Sequence, residues 1–143
     1  MKCDKKFDNT HQKILDTALD TICKAYPDVI AVYVFGSFAT AFENRESDVD
    51  LAFLRAKESN NVETWELAQE IARMIDRDVE LIDMQKASTV FRYQIFASGT
   101  CIFCQNDVEL ARFENLAISM YLRFQEERKE ILKSYLGEDK KYG

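Results

Sequence analysis

Val34-Phe35-Gly36-Ser37-Phe38-Ala39-Thr40-Ala41-Phe42-Glu43-Asn44-Arg45-Glu46-Ser47-Asp48-Val49-Asp50-Leu51 joins two apolar runs through a Gly-Ser turn and an Asp-x-Asp pair. The run leading into it, Val29-Ile30-Ala31-Val32-Tyr33, is rich in β-branched residues and predicts a strand buried on both faces. Gly36-Ser37 ends that strand. A small pair here lets the backbone come close to a ligand, and a helix starting at this point would turn its free N–H groups toward a phosphate. Eleven residues after Ser37, Asp48 and Asp50 open the second run, Leu51-Ala52-Phe53-Leu54. Side chains two apart on a strand share a face, so both carboxylates stand beside the turn. Such a pair repels itself unless a cation lies between, and oxygen-only ligation suits Mg²⁺ bridging protein to phosphates. Turn glycines and exposed aspartates are each common. Joined in this order, they predict metal-assisted chemistry on a nucleotide.

Around this stretch the chain reads as alternating helices and strands. Ile14, Ala18, Ile22 and Ala25, with Leu15 and Leu19, recur at helical spacing between Asn9 and Tyr26, and Pro27-Asp28 stops that helix. His11 falls in its first turn as a surface residue. Arg55 to Asn61 is a polar loop. Asn60 with Glu63 signals a second helix with an apolar stripe at Ala68, Ile71, Ala72 and Ile75; Trp65 near its start is expected as a core or boundary aromatic, the alternative being contact with a base or a partner. Asp78 to Asp83 reads as a short strand, Ala87 to Ser98 as a helix stopped by Gly99, and Thr100 to Cys104 as an edge strand. From Asp107 to about Leu136 runs a long helix in which Leu110, Ala117, Phe124 and Ile131 repeat every seven residues. That stripe admits two uses, packing along its own domain or contact with a partner chain through Tyr121, Phe124 and Tyr135. The last residues, from Glu138, are expected to fray.

The whole describes one α/β domain over residues 1–143, with a short mixed sheet flanked by helices, a core over about 9–104 and the long helix over about 107–136. A chain of 143 residues buries about two-thirds of its unfolded surface around a single core. Hydrophobic residues at 47% and charged residues at 31% fit an ordinary globular protein. A net charge of −6 argues against direct nucleic-acid binding, which needs clustered Lys and Arg, and favours docking on a basic partner. Neither a secretory leader nor a membrane-spanning run is present, so a cytoplasmic protein with reduced thiols is expected. Cys101 and Cys104 have C-x-x-C spacing without a second pair. On a regular strand they would point to opposite faces, so packed thiols are expected rather than a metal or redox site.

At Gly36-Ser37 and Asp48-x-Asp50 the sequence resembles the nucleotidyltransferase superfamily of DNA polymerase β and kanamycin nucleotidyltransferase. In size and layout, over roughly Val29 to Cys104, it is similar to the minimal nucleotidyltransferases, the antitoxins paired with HEPN-domain RNases. The resemblance implies a polymerase β palm-like fold. It implies that Gly36 and Ser37 bind the nucleotide, and that Asp48 and Asp50 hold Mg²⁺. It also implies a third carboxylate at the first acid after Val in a Val-Asp-Leu-Val-Asp segment, here Glu80; strand parity sets Asp83 on the other face. The activity it implies is Mg²⁺-dependent transfer of AMP from ATP to a tyrosine of the HEPN toxin, within a hetero-oligomer, which silences the toxin. Two alternatives are an antitoxin that inhibits by binding alone and a transferase acting on a small molecule such as an antibiotic. The family's x-Ala-Arg-Gly after Gly-Ser is here Phe38-Ala39-Thr40-Ala41, which removes a phosphate-pairing charge, and Arg45 is the nearest substitute. Glu80 is a methylene longer than the family's Asp.

Overall fold

The computed structural model describes residues 9–36 and 48–142, with side chains to residue 136. Helix α1, Asn9–Ala25, buries Leu15, Ala18 and Ile22, the stripe its spacing predicts. Strand β1, Ala31–Phe35, is buried along almost its whole length, as an apolar run without polar alternation must be. Strand β2 covers Val49–Leu54 and helix α2 Asn61–Ile75. Asn60 caps α2, its side-chain oxygen accepting the N–H of Val62 at 2.8 Å and of Glu63 at 3.2 Å. Strand β3, Val79–Asp83, helix α3, Thr89–Ser98, strand β4, Thr100–Cys104, and helix α4, Asp107–Tyr142, complete the order.

The sheet runs β3-β2-β1-β4. β1 lies antiparallel to β2 and β4, while β2 and β3 are parallel, with α2 as the crossover that a parallel pair requires. Strand parity divides the core into two layers. Val32, Val34, Val49, Leu51, Phe53 and Leu81 face one way, against α1 and α2. Ala31, Tyr33, Ala52 and Leu54 face the other way, with Ile95 of α3 and Leu110 of α4. Phe35, Asp50 and Glu80 are neighbours in register across β1, β2 and β3.

Four details depart from the sequence reading. Trp65 is not packed but 63% exposed. It leads the apolar stripe of α2, yet among the described residues β3 is the last strand on that side and no further strand covers it. Cys101 and Cys104 do not point to opposite faces. The β1–β4 register slips between Val32 and Tyr33, leaving Ile102 as an extra residue, and both thiols turn to the α3–α4 layer. They are nonetheless packed thiols, Cys101 Sγ donating to the Phe103 carbonyl at 3.3 Å and Cys104 Sγ to Asp107 Oδ1 at 3.2 Å. Gly99 ends α3 as expected, but in extended backbone. Its need for glycine is spatial, since a Cβ would lie 2.5 Å from the Ile95 carbonyl oxygen.

The fourth detail concerns α4, which stays helical to Tyr142 where fraying was expected. The two uses foreseen for its stripe divide along its length. Leu110 and Ala117 are buried on the domain, and Tyr121 stacks on Tyr93 of α3 with ring centroids 3.8 Å apart. From Leu122 to Leu136 every residue is exposed, among them Leu122, Phe124, Ile131, Leu132, Tyr135 and Leu136.

Candidate active site

Asp50 is the second residue of β2. The antiparallel register sets it beside Phe35, the last residue of β1, and the parallel register sets it beside Glu80 of β3. Asp48 immediately precedes β2, two residues from Asp50 and so on the same side of the strand. Three carboxylates separated in sequence thus gather at one end of β2 and β3. Asp50 is half-buried, whereas Asp48 and Glu80 are exposed.

This grouping changes the acidity of the middle member. Burial first, then the negative charges of Glu80 and Asp48, push the Asp50 carboxyl up to about 6, with a hydrogen bond between the Asp50 and Glu80 side chains acting in the same direction. Two carboxyl groups can share such a bond only through a proton, and the raised value means that Asp50 carries one in mildly acidic solution.

Gly36 closes the site from β1. Its φ of +70° lies in the left-handed region that glycine adopts without cost, and a Cβ there would overlap Oδ2 of Asp50. The position therefore demands glycine twice over, for its backbone and for the carboxylate laid against it. Ser37, together with Thr40, Ala41, Arg45 and the short helix expected after the turn, lies outside the described residues.

Asp83, the other acid of β3, is buried and differently employed. Its carboxylate accepts the N–H of Ser59 at 2.7 Å and of Gln85 at 2.9 Å, tying the loop before α2 to the end of β3. Strand parity had separated it from Glu80 correctly.

Among the described residues, no three His, Cys, Asp or Glu side chains are set closely enough to hold a metal ion unaided. The donor set nevertheless suits a hard divalent cation. All its atoms are oxygen, and Asp50 sits between two like charges that a cation would relieve. Mg²⁺ in particular is usually held by one or two carboxylates and completed by waters and phosphate oxygens, so an open set fits an ion that shares its shell with a nucleotide.

Beside the acids, a groove of about 600 Å³ follows the outer edge of β3, lined by Glu80, Trp65, Lys86 and Phe91 among others. Sequence reasoning missed this groove. Its only signal was a tryptophan near the start of an amphipathic helix, which is more often a packed residue.

Comparison with known proteins agrees with this geometry. The model of the family "Polymerase beta, Nucleotidyltransferase" matches residues 17–108. The protein adenylyltransferase MntA of Shewanella oneidensis is 39% identical over 121 residues, which is 84% of this chain and 83% of that protein. Among solved structures, a toxin–antitoxin complex with AMP-PNP superposes with a TM-score of 0.75 at 32% identity, covering 85% of this chain and 97% of the other. A structure of tri-AMPylated Shewanella oneidensis HEPN toxin in complex with MNT antitoxin does so with a TM-score of 0.74 at 30% identity, covering 88% and 98%. In the described residues no helix is long and apolar enough to cross a membrane. With a family model spanning most of its length and a relative of this identity, the chain belongs to the polymerase β nucleotidyltransferases, in the minimal nucleotidyltransferase group that includes MntA.

Proposed function

We propose that this protein is the antitoxin of a toxin–antitoxin pair and acts in the cytoplasm as a protein adenylyltransferase, moving AMP from ATP to a tyrosine hydroxyl of a HEPN-domain RNase. The observation that carries the reading is the strand register that puts Glu80 beside Asp50, with Asp48 and Gly36 at the same corner. Support comes from relatives whose solved complexes hold AMP-PNP in one case and a tri-AMPylated toxin in another.

Asp48, Asp50 and Glu80 would hold Mg²⁺, which when bound neutralises charge on the triphosphate and makes the acceptor hydroxyl more acidic. Gly36 lets the end of β1 lie against the Asp50 carboxylate, and the turn it begins, with Ser37, would hold the triphosphate. The acceptor oxygen bonds to the α-phosphorus as the bond from that phosphorus to its bridging oxygen breaks, and pyrophosphate leaves. Glu80 is exposed and next to Asp50, which suits it to receive the hydroxyl proton.

The test is incubation with labelled ATP, Mg²⁺ and the HEPN partner, followed by mass spectrometry of the modified residue. Transfer is expected with the wild-type chain and is expected to vanish in the Asp48→Ala, Asp50→Ala double variant. A double variant that labels the partner as well as wild type does would refute the assignment. A second reading, inhibition by occupancy alone, draws on the exposed apolar side chains of α4 beyond Tyr121. It predicts that the double variant still silences the RNase.

A further inference from the structure

Among the described residues β3 is the outermost strand on its side of the sheet and pairs only with β2. The bonds from the Val49 N–H to the Asp78 carbonyl, 2.9 Å, and from the Met84 N–H to the Phe53 carbonyl, 3.0 Å, show which way its peptide groups point. Alternate residues of a parallel strand bond to the same neighbour, so Glu80 and Ile82 turn theirs toward β2 while Val79 and Leu81 turn theirs outward. Among the described residues those outward N–H and C=O groups have no partner. β3 contains no proline and pairs without a bulge, two devices by which sheets close such an edge.

The open edge borders the groove that Trp65, Lys86 and Phe91 line, and Glu80 belongs both to this groove and to the acid cluster. From this continuity we infer that the β3 edge receives an extended segment of the acceptor protein as an added strand, which delivers the acceptor hydroxyl to Glu80. The inference rests on the adenylyl-transfer reading above. An added strand lies about 4.8 Å from β3, and its side chains on the Asp50 face stand beside Glu80. Charge sets the direction of the match. Glu80, which Asp50 adjoins in register, lines the groove toward the start of β3, while at the far end Lys86 lies beside Asp83, whose carboxylate is taken up by two backbone N–H groups, so a segment basic near its acceptor hydroxyl is complementary. The exposed face of Trp65 offers an apolar seat for one of its side chains. A small-molecule acceptor has no alternating peptide groups with which to use such an edge, and a nucleic acid is opposed by the net charge of −6.

The test uses synthetic peptides of about ten residues, a span matched to strand lengths, copying the partner around its modified residue. Each backbone nitrogen is methylated in turn, and label transfer by the wild-type protein is measured. Strand addition predicts losses of about ten-fold at every second position and little effect between, because only alternate N–H groups face β3. Trp65 is the chain's one tryptophan. Its emission is expected to shift to the blue as the unmodified peptide binds. Val79→Pro removes an outward donor without touching a bond to β2, and is expected to raise the KM for the acceptor about ten-fold while the KM for ATP stays fixed. Uniform tolerance of methylation overturns the inference, as does a peptide that takes no label while the whole partner does. An unchanged acceptor KM in a folded Val79→Pro protein also overturns it. Should that variant fail to fold, the methylation series decides alone. Absence of label on the whole partner would instead refute the adenylyl-transfer reading.

Discussion

Asp50 carries a cost that its position makes unavoidable. Its carboxyl titrates near 6 in the folded chain, against an ordinary 3.8, because burial and two acidic neighbours disfavour the charge. The folded state therefore binds a proton more tightly than the unfolded state between about pH 4 and 6. Without metal, stability falls as pH rises through that window and stays lower above it. Asp50→Asn removes the loss. In EDTA at pH 7.5 the variant is expected to be more stable than wild type by on the order of 1 kcal/mol, after discounting for the solvent that reaches this group. The gain should disappear below about pH 4. Urea melts at both pH values check the sign, and an equal gain at both would show that the carboxyl's charge is not its source.

The placement of Glu80 is settled between elements. It faces Asp50 only while β2 and β3 keep their parallel register, and Asp83 pins that register by accepting two backbone N–H groups, one of them from Ser59 in the loop after β2. Asp83→Ala would leave both donors without their acceptor. A loss of about 2–4 kcal/mol in urea unfolding is expected, since bonds to charged acceptors are among the stronger ones. A change under 1 kcal/mol would mean that water replaces the carboxylate freely. Much at this scale was legible in the sequence. The unbroken apolar run of β1, the turn at Gly36 and the period-two spacing of Asp48 and Asp50 are local patterns, and local patterns survive folding. What could not be read depends on neighbours. Trp65 is exposed because β3 happens to be outermost, and Cys101 shares a face with Cys104 because Ile102 bulges. Neither strand order nor a slipped register is written in the residues concerned. Ser37 to Ser47, which the sequence reading assigns to phosphate binding and the turn around it, lie outside the described residues.

At the scale of the molecule, α4 divides a packed half from an exposed one at Tyr121, whose ring lies on Tyr93. The exposed stretch to Leu136 is about 22 Å long at a helical rise, and it carries leucines, Phe124, Ile131 and Tyr135 into solvent. A chain ending at Tyr121 is expected to melt within a few degrees of the full-length protein, because the lost residues bury little of the core. It is expected to lose stable association with the HEPN partner, seen as failure to co-elute in size-exclusion chromatography. Full retention of the complex would place the interface elsewhere.

The crossover between β2 and β3 also sets a timing. Asp50 and Glu80 stand thirty positions apart in the chain with the whole of α2 between them, so their meeting is a non-local contact of the slow-forming kind. A nascent polypeptide released only as far as Ile75 holds both aspartates but not their third companion. The three-acid corner is thus completed late in synthesis, and an unfinished copy carries an incomplete set of acids.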